Sequence, residues 1–228
     1  MLNTGSQTLN VMSKATWYNR WLLSLIRPYL KGDILEVGTG IGNFTQMLAD
    51  YGEVTTIDVD VQYINKVKQE YGNRIKVGRG DIEIGDYFFN KINFDSIVCL
   101  NVLEHIKDDR KAIKNMYELL NKGGYLILLV PANKFLFSDF DKNLGHYRRY
   151  SIKEIKSVLE ESEFGIRNLR YINWWAAIGW FVFMKILKVN KMPENPVGIF
   201  DKIGKVFLFP EKIIKIPFGL SILAIAKK

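Results

Sequence analysis

The sequence has almost no cysteine and lacks a long uncharged apolar run. Its 228 residues include one cysteine, Cys99, so no disulfide framework can form and a reducing compartment is indicated. The first residues lack the pattern of a signal peptide, and we therefore expect a cytoplasmic protein. The uncharged run from Trp174 to Met184 is shorter than the ~20 apolar residues of a spanning helix. An apolar fraction of 48% is nevertheless enough for one folded domain with a core.

Positive charge is concentrated near the end of the chain. The net charge is +8, and the last 44 residues hold nine lysines against three acids, which is +6 of that total. Lysines interleaved with apolar residues favour an anionic partner surface, either lipid headgroups or nucleic acid. A solvated lysine-rich surface is an equally good interpretation.

Apolar runs alternate with helical periodicity along the chain. The predicted strands are DILEV (33–37), EVTTID (53–58), RIKVGRGD (74–81), FDSIVCLN (94–101), GGYLILLVP (123–131), FGIRNLRYI (164–172) and LSILAIAKK (220–228). The predicted helices are 14–30, 43–51, 61–71, 108–121 and 151–163. This alternation predicts an α/β fold, with helices on both faces of a parallel sheet and ligands bound beyond the carboxyl ends of its strands.

Glycines cluster where the first strand turns into a helix, in ILEVGTGIGNFTQML. Gly38, Gly40 and Gly42 stand at every second position, whereas a dinucleotide site would place its third glycine where Asn43 stands. This spacing argues against a nicotinamide cofactor. Asp58 ends the next strand, 20 residues after Gly38, where a carboxylate can accept both hydroxyls of a ribose.

Five segments together resemble the successive motifs of a known family. In their order and spacing, DILEVGTGIGNFT, TTIDVD, RGDIE, FDSIVCLNVLEHI and LNKGGYLILLVP resemble class I S-adenosylmethionine-dependent methyltransferases of the small-molecule type (Methyltransferase 11 and 23). The resemblance implies S-adenosylmethionine as cofactor and a Rossmann-like, mostly parallel sheet of seven strands whose last strand is antiparallel. We expect one domain over 1–228, with a cofactor-binding core (14–172), an insertion (173–218) and the last strand (219–228).

The resemblance also implies which residues bind the cofactor. They are Glu36, Gly38, Gly40 and Asn101 around the methionine and sulfonium, Asp58 at the ribose, Val59, Asp81 and Ile82 at the adenine, and Tyr18 as a cover. The alternative for Asp58 and Asp81 is that they are turn residues or helix caps.

The only two histidines, His105 and His146, fall in loops expected over the cofactor. An imidazole has a pKa of ~6.5, so either one could deprotonate a hydroxyl acceptor near neutral pH. Each could instead order the backbone of its loop. Oxygen is the preferred acceptor atom on the strength of the resemblance and these two residues.

The stretch around His146, LGHYRRYS, supplies candidate substrate residues. They are Tyr147, Arg148 and Arg149, because guanidinium groups bind carboxylate or phosphate bidentately. The two arginines could equally hold Asp139 or Asp141.

NVLEH resembles the site of ubiquinone-type O-methyltransferases, in which an acid followed by Glu-His binds a divalent metal. Here Asn101 stands in place of the first acid. Glu104 and His105 alone offer few oxygen ligands, so we expect no metal.

The insertion 173–218 mixes large apolar residues with lysines, and it holds three of the five tryptophans. It could be a cap packed on the sheet, an interfacial segment at the inner face of a membrane, or the interface of a homodimer. The interfacial interpretation fits a lipid-linked acceptor, such as a polyprenyl-borne sugar or a quinone.

We therefore expect an enzyme that moves a methyl group to a small-molecule or lipid-linked acceptor by in-line displacement. Positioning alone can supply ~7–11 kcal/mol of such a barrier. An RNA methyltransferase would suit the basic charge, but the aromatic residues cluster with aliphatic ones, and nucleic acid is not expected. A non-catalytic module that binds S-adenosylmethionine is the other alternative.

Overall fold

The computed structural model describes residues 4–90, 92–187, 208, 211 and 216–228. Its strands are β1 (Asp33–Val37), β2 (Glu53–Asp58), β3 (Lys76–Asp81), β4 (Asp86–Tyr87), β5 (Phe94–Leu100), β6 (Leu120–Pro131), β7 (Gly165–Ile172) and β8 (Ser221–Lys227). Its α-helices are α1 (Thr4–Ser13), α2 (Thr16–Ile26), α3 (Thr45–Leu48), α4 (Val61–Tyr71), α5 (Asp109–Leu119), α6 (Asp139–Asn143), α7 (Ile152–Glu161) and α8 (Trp174–Trp180).

The strands form one mixed sheet in the order β4-β3-β2-β1-β5-β6-β8-β7. Neighbouring strands from β3 to β6 pair in parallel, and β8 lies antiparallel between β6 and β7. The predicted Rossmann-like sheet with an antiparallel last strand is confirmed. The described strands number eight rather than seven because β4 adds a two-residue edge that pairs with β3, and two residues are too few to show a sequence period.

Helices cover both faces of the sheet, so its central strands are buried on both sides. Ile34 and Leu35 of β1 point to opposite faces, and each is fully buried in a different apolar cluster. The cluster on one face includes side chains of α5 and α7, and the other includes side chains of α1, α2 and α4. Burying one such side chain contributes about 1.5–3 kcal/mol to the free energy of folding. Because both faces of these strands are buried, apolar residues are favoured at consecutive positions and not only at alternate ones.

The insertion is described from residue 173 to 187 and again at 208, 211 and 216–218. Helix α8 continues into a π-helical turn over residues 181–186, with Ala177 and Met184 buried. Ile178, Phe181 and Ile186 keep 51%, 44% and 59% of their surfaces exposed. Within the described residues, no helix combines the length and the hydropathy needed to cross a bilayer.

Candidate cofactor site and active site

The sheet order brings the carboxyl ends of β1, β2 and β5 together at one end of the sheet. Strand β1 lies between β2 and β5, so the chain leaves β1 and β5 in opposite directions along the sheet. Ligands of such sheets bind in the crevice that this divergence opens. The glycine turn after β1, the acid that ends β2 and the loop after β5 all border that crevice.

Two backbone amides of the glycine turn donate hydrogen bonds to the end of β2. Gly38 N donates to Ile57 O at 2.8 Å, and Gly40 N donates to Asp58 Oδ2 at 2.9 Å. Gly38, Gly40 and Gly42 have φ values of +80°, +50° and +87°, which L side chains rarely adopt. A Cβ at Gly38 would lie 2.4 Å from Cγ2 of Val102, so the turn also packs closely against the loop after β5.

Asp58 is fixed at the carboxyl end of β2. Its Oδ1 accepts a hydrogen bond from Asp60 N at 2.9 Å, while its Oδ2 accepts the bond from Gly40. Burial raises the pKa of Asp58 above its usual value, against the lowering effect of these backbone donors. Beside it, Val59 keeps 60% of its surface exposed, which leaves apolar surface at the rim for a flat ring.

Asp81 and Ile82 lie where β3 ends. Asp81 Oδ1 accepts hydrogen bonds from Glu83 N at 2.8 Å and Ile84 N at 3.3 Å, which is the turn role considered as the alternative. Ile82 is buried in the core, and its carbonyl accepts a bond from Asn115 Nδ2 at 2.8 Å. Their roles at the adenine remain predictions.

Glu36 is a buried carboxyl group behind the glycine turn. Thr45, at the start of α3, donates its hydroxyl to Glu36 Oε2 at 2.7 Å. Burial raises the pKa of Glu36 to about 7, an effect that this hydrogen bond opposes. The sequence reasoning missed Thr45, although its position near the start of the helix after the glycines could have identified it.

Two further cofactor candidates lie in different surroundings. Asn101 is exposed where the chain leaves β5, and its φ of +54° is one that asparagine tolerates better than most residues. Tyr18 is buried in α2, and Asn173 Nδ2 donates to its hydroxyl at 2.7 Å. Burial raises the pKa of Tyr18 to about 12. The proposed cover is thus a core residue that links α2 to the end of β7, and its contact with cofactor remains a prediction.

Helix α1 packs over the glycine turn and was not predicted. Leu9 lies 3.2 Å from where a Cβ of Gly40 would stand, and Asn43 Nδ2 donates to Leu9 O at 3.2 Å. Ser6 Oγ lies 2.9 Å from the hydroxyl of Tyr63 on α4. Helix α1 therefore covers the glycine turn on the face of the sheet that α4 also covers.

The two histidines lie together, with ring centroids 4.6 Å apart in an edge-to-face arrangement. His105 is exposed as a residue, although its ring is partly buried. This partial burial is the main cause that lowers the pKa of His105 below its usual range, and the nearby His146 adds to the effect. His146 lies deeper, with its Nδ1 3.1 Å from Asp141 Oδ1 and its Nε2 3.9 Å from Glu104 Oε1. Burial raises the pKa of Glu104 to about 7.

The two arginines that follow His146 are paired with acids. Arg149 is buried and donates from Nε and Nη2 to Asp141 Oδ1, at 2.9 and 2.8 Å. Arg148 Nη1 lies 2.9 Å from Asp109 Oδ2. Asp141 is one of the two alternatives considered for the arginines, whereas Asp109 was not foreseen. Tyr147 keeps 58% of its surface exposed, so it is the most open of the three substrate candidates, whose roles remain predictions.

Glu104, His105 and His146 also place ligand-type atoms within 4.8 Å of one another. A carboxylate and two imidazoles form a donor set that zinc accepts and magnesium does not prefer. However, Nδ1 of His146 already faces Asp141, and Glu104 is only 1% exposed. The expected absence of a metal remains a prediction.

Comparison with known proteins matches this site to one family. Residues 35–128 match the family described as Methyltransferase domain, and this span includes the glycine turn, Asp58, Asp81 and Asn101. Over these residues the chain resembles a methyltransferase domain. The resemblance to methyltransferases predicted from the sequence is thereby confirmed over this span.

Individual relatives and solved structures are also similar to this chain. The ubiquinone biosynthesis O-methyltransferase of Coxiella burnetii is 32% identical over 123 residues, which cover 52% of this chain and 48% of that protein. This chain therefore aligns with about half the length of that relative. N-methyltransferase NodS from Bradyrhizobium japonicum, solved with S-adenosyl-L-homocysteine, is 20% identical with a TM-score of 0.59, covering 92% of this chain and 85% of NodS.

A Mesorhizobium loti S-adenosylmethionine-dependent methyltransferase has a TM-score of 0.64 at 13% identity, covering 92% of this chain and 98% of that one. At these identities the solved structures establish the fold of the present chain.

Proposed function

We propose that the protein transfers the methyl group of S-adenosylmethionine to a hydroxyl oxygen of a small-molecule or lipid-linked acceptor. The observation that carries this proposal is the glycine turn tethered to Asp58, inside the span that matches the methyltransferase family. Ribose hydroxyls are natural partners for a carboxylate fixed in this position. Glu36, Asn101 and the turn backbone would border the methionine part, and Val59, Asp81 and Ile82 the adenine.

S-adenosylmethionine supplies a methyl group already activated on a sulfonium. The protein has to hold the acceptor in line with that group, exclude water and remove one proton. The electron pair of the acceptor O–H bond stays on oxygen and forms the O–CH₃ bond, while the pair of the broken C–S bond goes to sulfur. The proton passes to an imidazole, for which His146 and His105 are the candidates. A positioned base contributes about 10²–10⁴-fold.

Oxygen as the acceptor atom is supported by two observations. The Coxiella burnetii relative is named as an O-methyltransferase, and two imidazoles lie side by side, one of them in the loop after β5. Nitrogen is the competing atom, because NodS is named as an N-methyltransferase. An amine acceptor that is already neutral needs no base, so the two chemistries differ in their dependence on His105 and His146.

The test is transfer of a labelled methyl group from S-adenosylmethionine to three acceptor pools. The pools are a polyprenylated phenol, a set of primary and secondary amines, and bulk transfer RNA. We expect label in the phenol, and the label should survive acid but be released as methyl iodide by hydriodic acid, as an ether is. Label in amines or RNA would overturn the choice of acceptor. If no labelled product forms in any of the three pools, a non-catalytic binding module would be favoured.

A peripheral membrane contact is part of the proposal. Ile178, Phe181 and Ile186 expose apolar surface on the segment that follows β7, and Lys185 lies between them in sequence. Such a segment suits the headgroup region of a bilayer, where a lipid-linked acceptor would be found.

Co-sedimentation with anionic vesicles at low salt tests this contact. We expect the wild type to bind, and the double variant Phe181→Ser with Ile186→Ser to bind several-fold more weakly. Ile84→Ser is the matched control, because Ile84 is 58% exposed but lies in the turn after β3. A wild type that ignores the vesicles, or a control that weakens binding equally, would contradict the contact.

A further inference from the structure

The candidate base His146 belongs to a series of buried polar side chains in contact with one another. The mechanism above uses only the imidazole of that series. The series passes from Arg149 through Asp141 to His146 and ends at Glu104. Asp141 is fully buried, and the side chains of Arg149 and His146 are 2% and 9% exposed. Charged groups are expensive to bury, so an array of this kind is stable only when its members are paired.

We propose that Asp141 is the positioning residue of His146, which it holds with the proton on Nδ1 and the lone pair on Nε2. The inference rests on the proposed function, in which an imidazole takes the acceptor proton. An ionised carboxylate accepts hydrogen bonds and donates none, so the contact of 3.1 Å requires Nδ1 of His146 to be the donor. The neutral ring then has its basic nitrogen at Nε2.

Asp141 is itself held in place through both of its oxygens. Oδ2 accepts from the backbone N and the hydroxyl of Ser138, at 2.8 and 2.9 Å. Oδ1 accepts the two Arg149 donors as well as His146 Nδ1. Hydrogen bonds from His146 and Arg149 outweigh the effect of burial and lower the pKa of Asp141. The carboxylate therefore stays ionised and acceptor-only around neutral pH.

Helix α8 of the insertion packs against this array at Arg149. The guanidinium carbon of Arg149 lies 4.5 Å from the centroid of the Trp180 ring on α8, a cation–π contact. Trp180 Nε1 donates to Leu136 O at 3.2 Å, and Arg149 Nη1 donates to Ala132 O at 3.3 Å. Helix α8 thus shields the ion pair that orients the base.

Glu104 lies on the Nε2 side of the imidazole. Its Oε1 is 3.9 Å from Nε2, and its buried Oε2 accepts no hydrogen bond from the described residues. The backbone also joins the two loops, because Tyr147 N donates to Glu104 O at 2.8 Å. When the acceptor proton reaches Nε2, the resulting imidazolium lies between the carboxyl groups of Asp141 and Glu104, and no other proton has to move.

The tautomer of His146 can be read directly in the folded protein. Because the chain has only two histidines, His105→Asn leaves one imidazole and assigns the ring nitrogens in a long-range ¹H–¹⁵N spectrum. We would record it at about pH 8, where an ordinary imidazole is neutral. The expected result is a protonated Nδ1 and an unprotonated Nε2 for His146. A dominant Nε2–H form in the wild type would overturn the proposal without any variant.

Removing Asp141 together with Arg149 tests the cause of that tautomer. The pair Asp141→Ala with Arg149→Met removes both partners of the buried ion pair, whereas either single change strands a buried charge, so the double variant is the one expected to fold. We expect the fixed Nδ1–H form to give way to a mixture of tautomers. Ser138→Ala is the control, because it removes one donor to Asp141 and leaves the Asp141–His146 contact in place. Persistence of the pure tautomer in the double variant would refute the role of Asp141.

A catalytic readout separates this inference from the proposed function. Calorimetric affinity for S-adenosylmethionine should be unchanged in the double variant, while labelled methyl transfer to the phenol should fall by roughly 10²–10⁴-fold. Full transfer activity in the variant would contradict positioning by Asp141. A wild type that binds no S-adenosylmethionine would instead refute the proposed function and leave the tautomer result standing.

Discussion

The glycine turn makes its strongest prediction at Gly38, where replacement by alanine should both strain the backbone and displace the turn. Gly38 has a φ of +80°, and an added Cβ would lie 2.4 Å from Cγ2 of Val102. A valine side chain is stiff about χ1, so Val102 cannot swing aside cheaply. The conflict must therefore move the turn away from the loop that follows β5.

The expected cost can be built from its two parts. A left-handed conformation costs an L residue about 1–2 kcal/mol. Overpacking by one methyl group in a tight site costs typically about 1–3 kcal/mol. Gly38→Ala should thus lower the free energy of unfolding by roughly 2–5 kcal/mol. If cofactor binding requires the turn to return to its original position, the free energy of that return weakens binding. Each ~1.4 kcal/mol raises the dissociation constant tenfold.

Gly123→Ala is the matched control, because Gly123 has a similar φ of +83° and its added Cβ would meet only Cε of Lys227, at an ordinary 3.7 Å. It should show only the backbone cost. Urea denaturation and calorimetric binding of S-adenosylmethionine would be compared for both variants. In the background of Val102→Ala, the cost of Gly38→Ala should fall by about 1–3 kcal/mol, which a double-mutant cycle measures. Equal costs for the two glycines, with no rescue and unchanged binding, would refute the close approach.

Two buried ionisable groups, the carboxyl of Glu36 and the Arg149–Asp141 ion pair, yield further predictions. Burial raises the pKa of Glu36 to about 7, so the neutral acid is favoured on folding. Its stabilisation is present below ~4.3, the pKa of an ordinary glutamate, and is lost as pH rises through 7. In Glu36→Gln that loss, at most roughly 4 kcal/mol, should disappear from urea denaturation compared at acidic and mildly basic pH; an unchanged pH dependence would contradict it. Arg149→Met strands the buried Asp141 and should cost about 3–5 kcal/mol, against about 0–1 kcal/mol for Arg79→Met in an exposed ion pair; equal costs in thermal denaturation would disprove the burial argument.

Much of the fold could be predicted because the central strands carry their environment in their composition. DILEV and EVTTID are buried on both faces, and the observed bounds of β1 and β2 coincide with those predicted. Helix α4 also has its predicted bounds, since Asp60 caps it by accepting from Gln62 N. The predicted capping box of α7 is likewise present, with Ser151 bonded to Glu154.

Elements that depend on tertiary contacts were harder to predict. Helix α1 was missed because its sequence, TGSQTLNVMS, buries only Val11 and has little apolar periodicity. The predicted helix 43–51 shrinks to Thr45–Leu48 in the structure. Gly42 before it is held in the turn at a φ of +87°, which delays the start of the helix.

The candidate site divides in the same way. The glycine turn and Asp58 lie within one βαβ unit, where spacing along the chain fixes spacing in the sheet. The approach of Glu104 to His146 joins residues 42 positions apart, with α5, β6 and α6 between them. No periodicity encodes that contact, nor the pairing of Asp141 with His146 across the end of α6. Sequence spacing could nominate the histidines, but only the fold could supply their partners.

The most direct test of the central claim is calorimetric titration with S-adenosylmethionine and, separately, NADH. We expect micromolar binding of S-adenosylmethionine alone, loss of that binding in Asp58→Ala, and its retention in Asp60→Ala, whose side chain caps α4 instead. Absence of binding, binding of NADH only, or full affinity in Asp58→Ala would contradict the assignment of this crevice to the methyl donor.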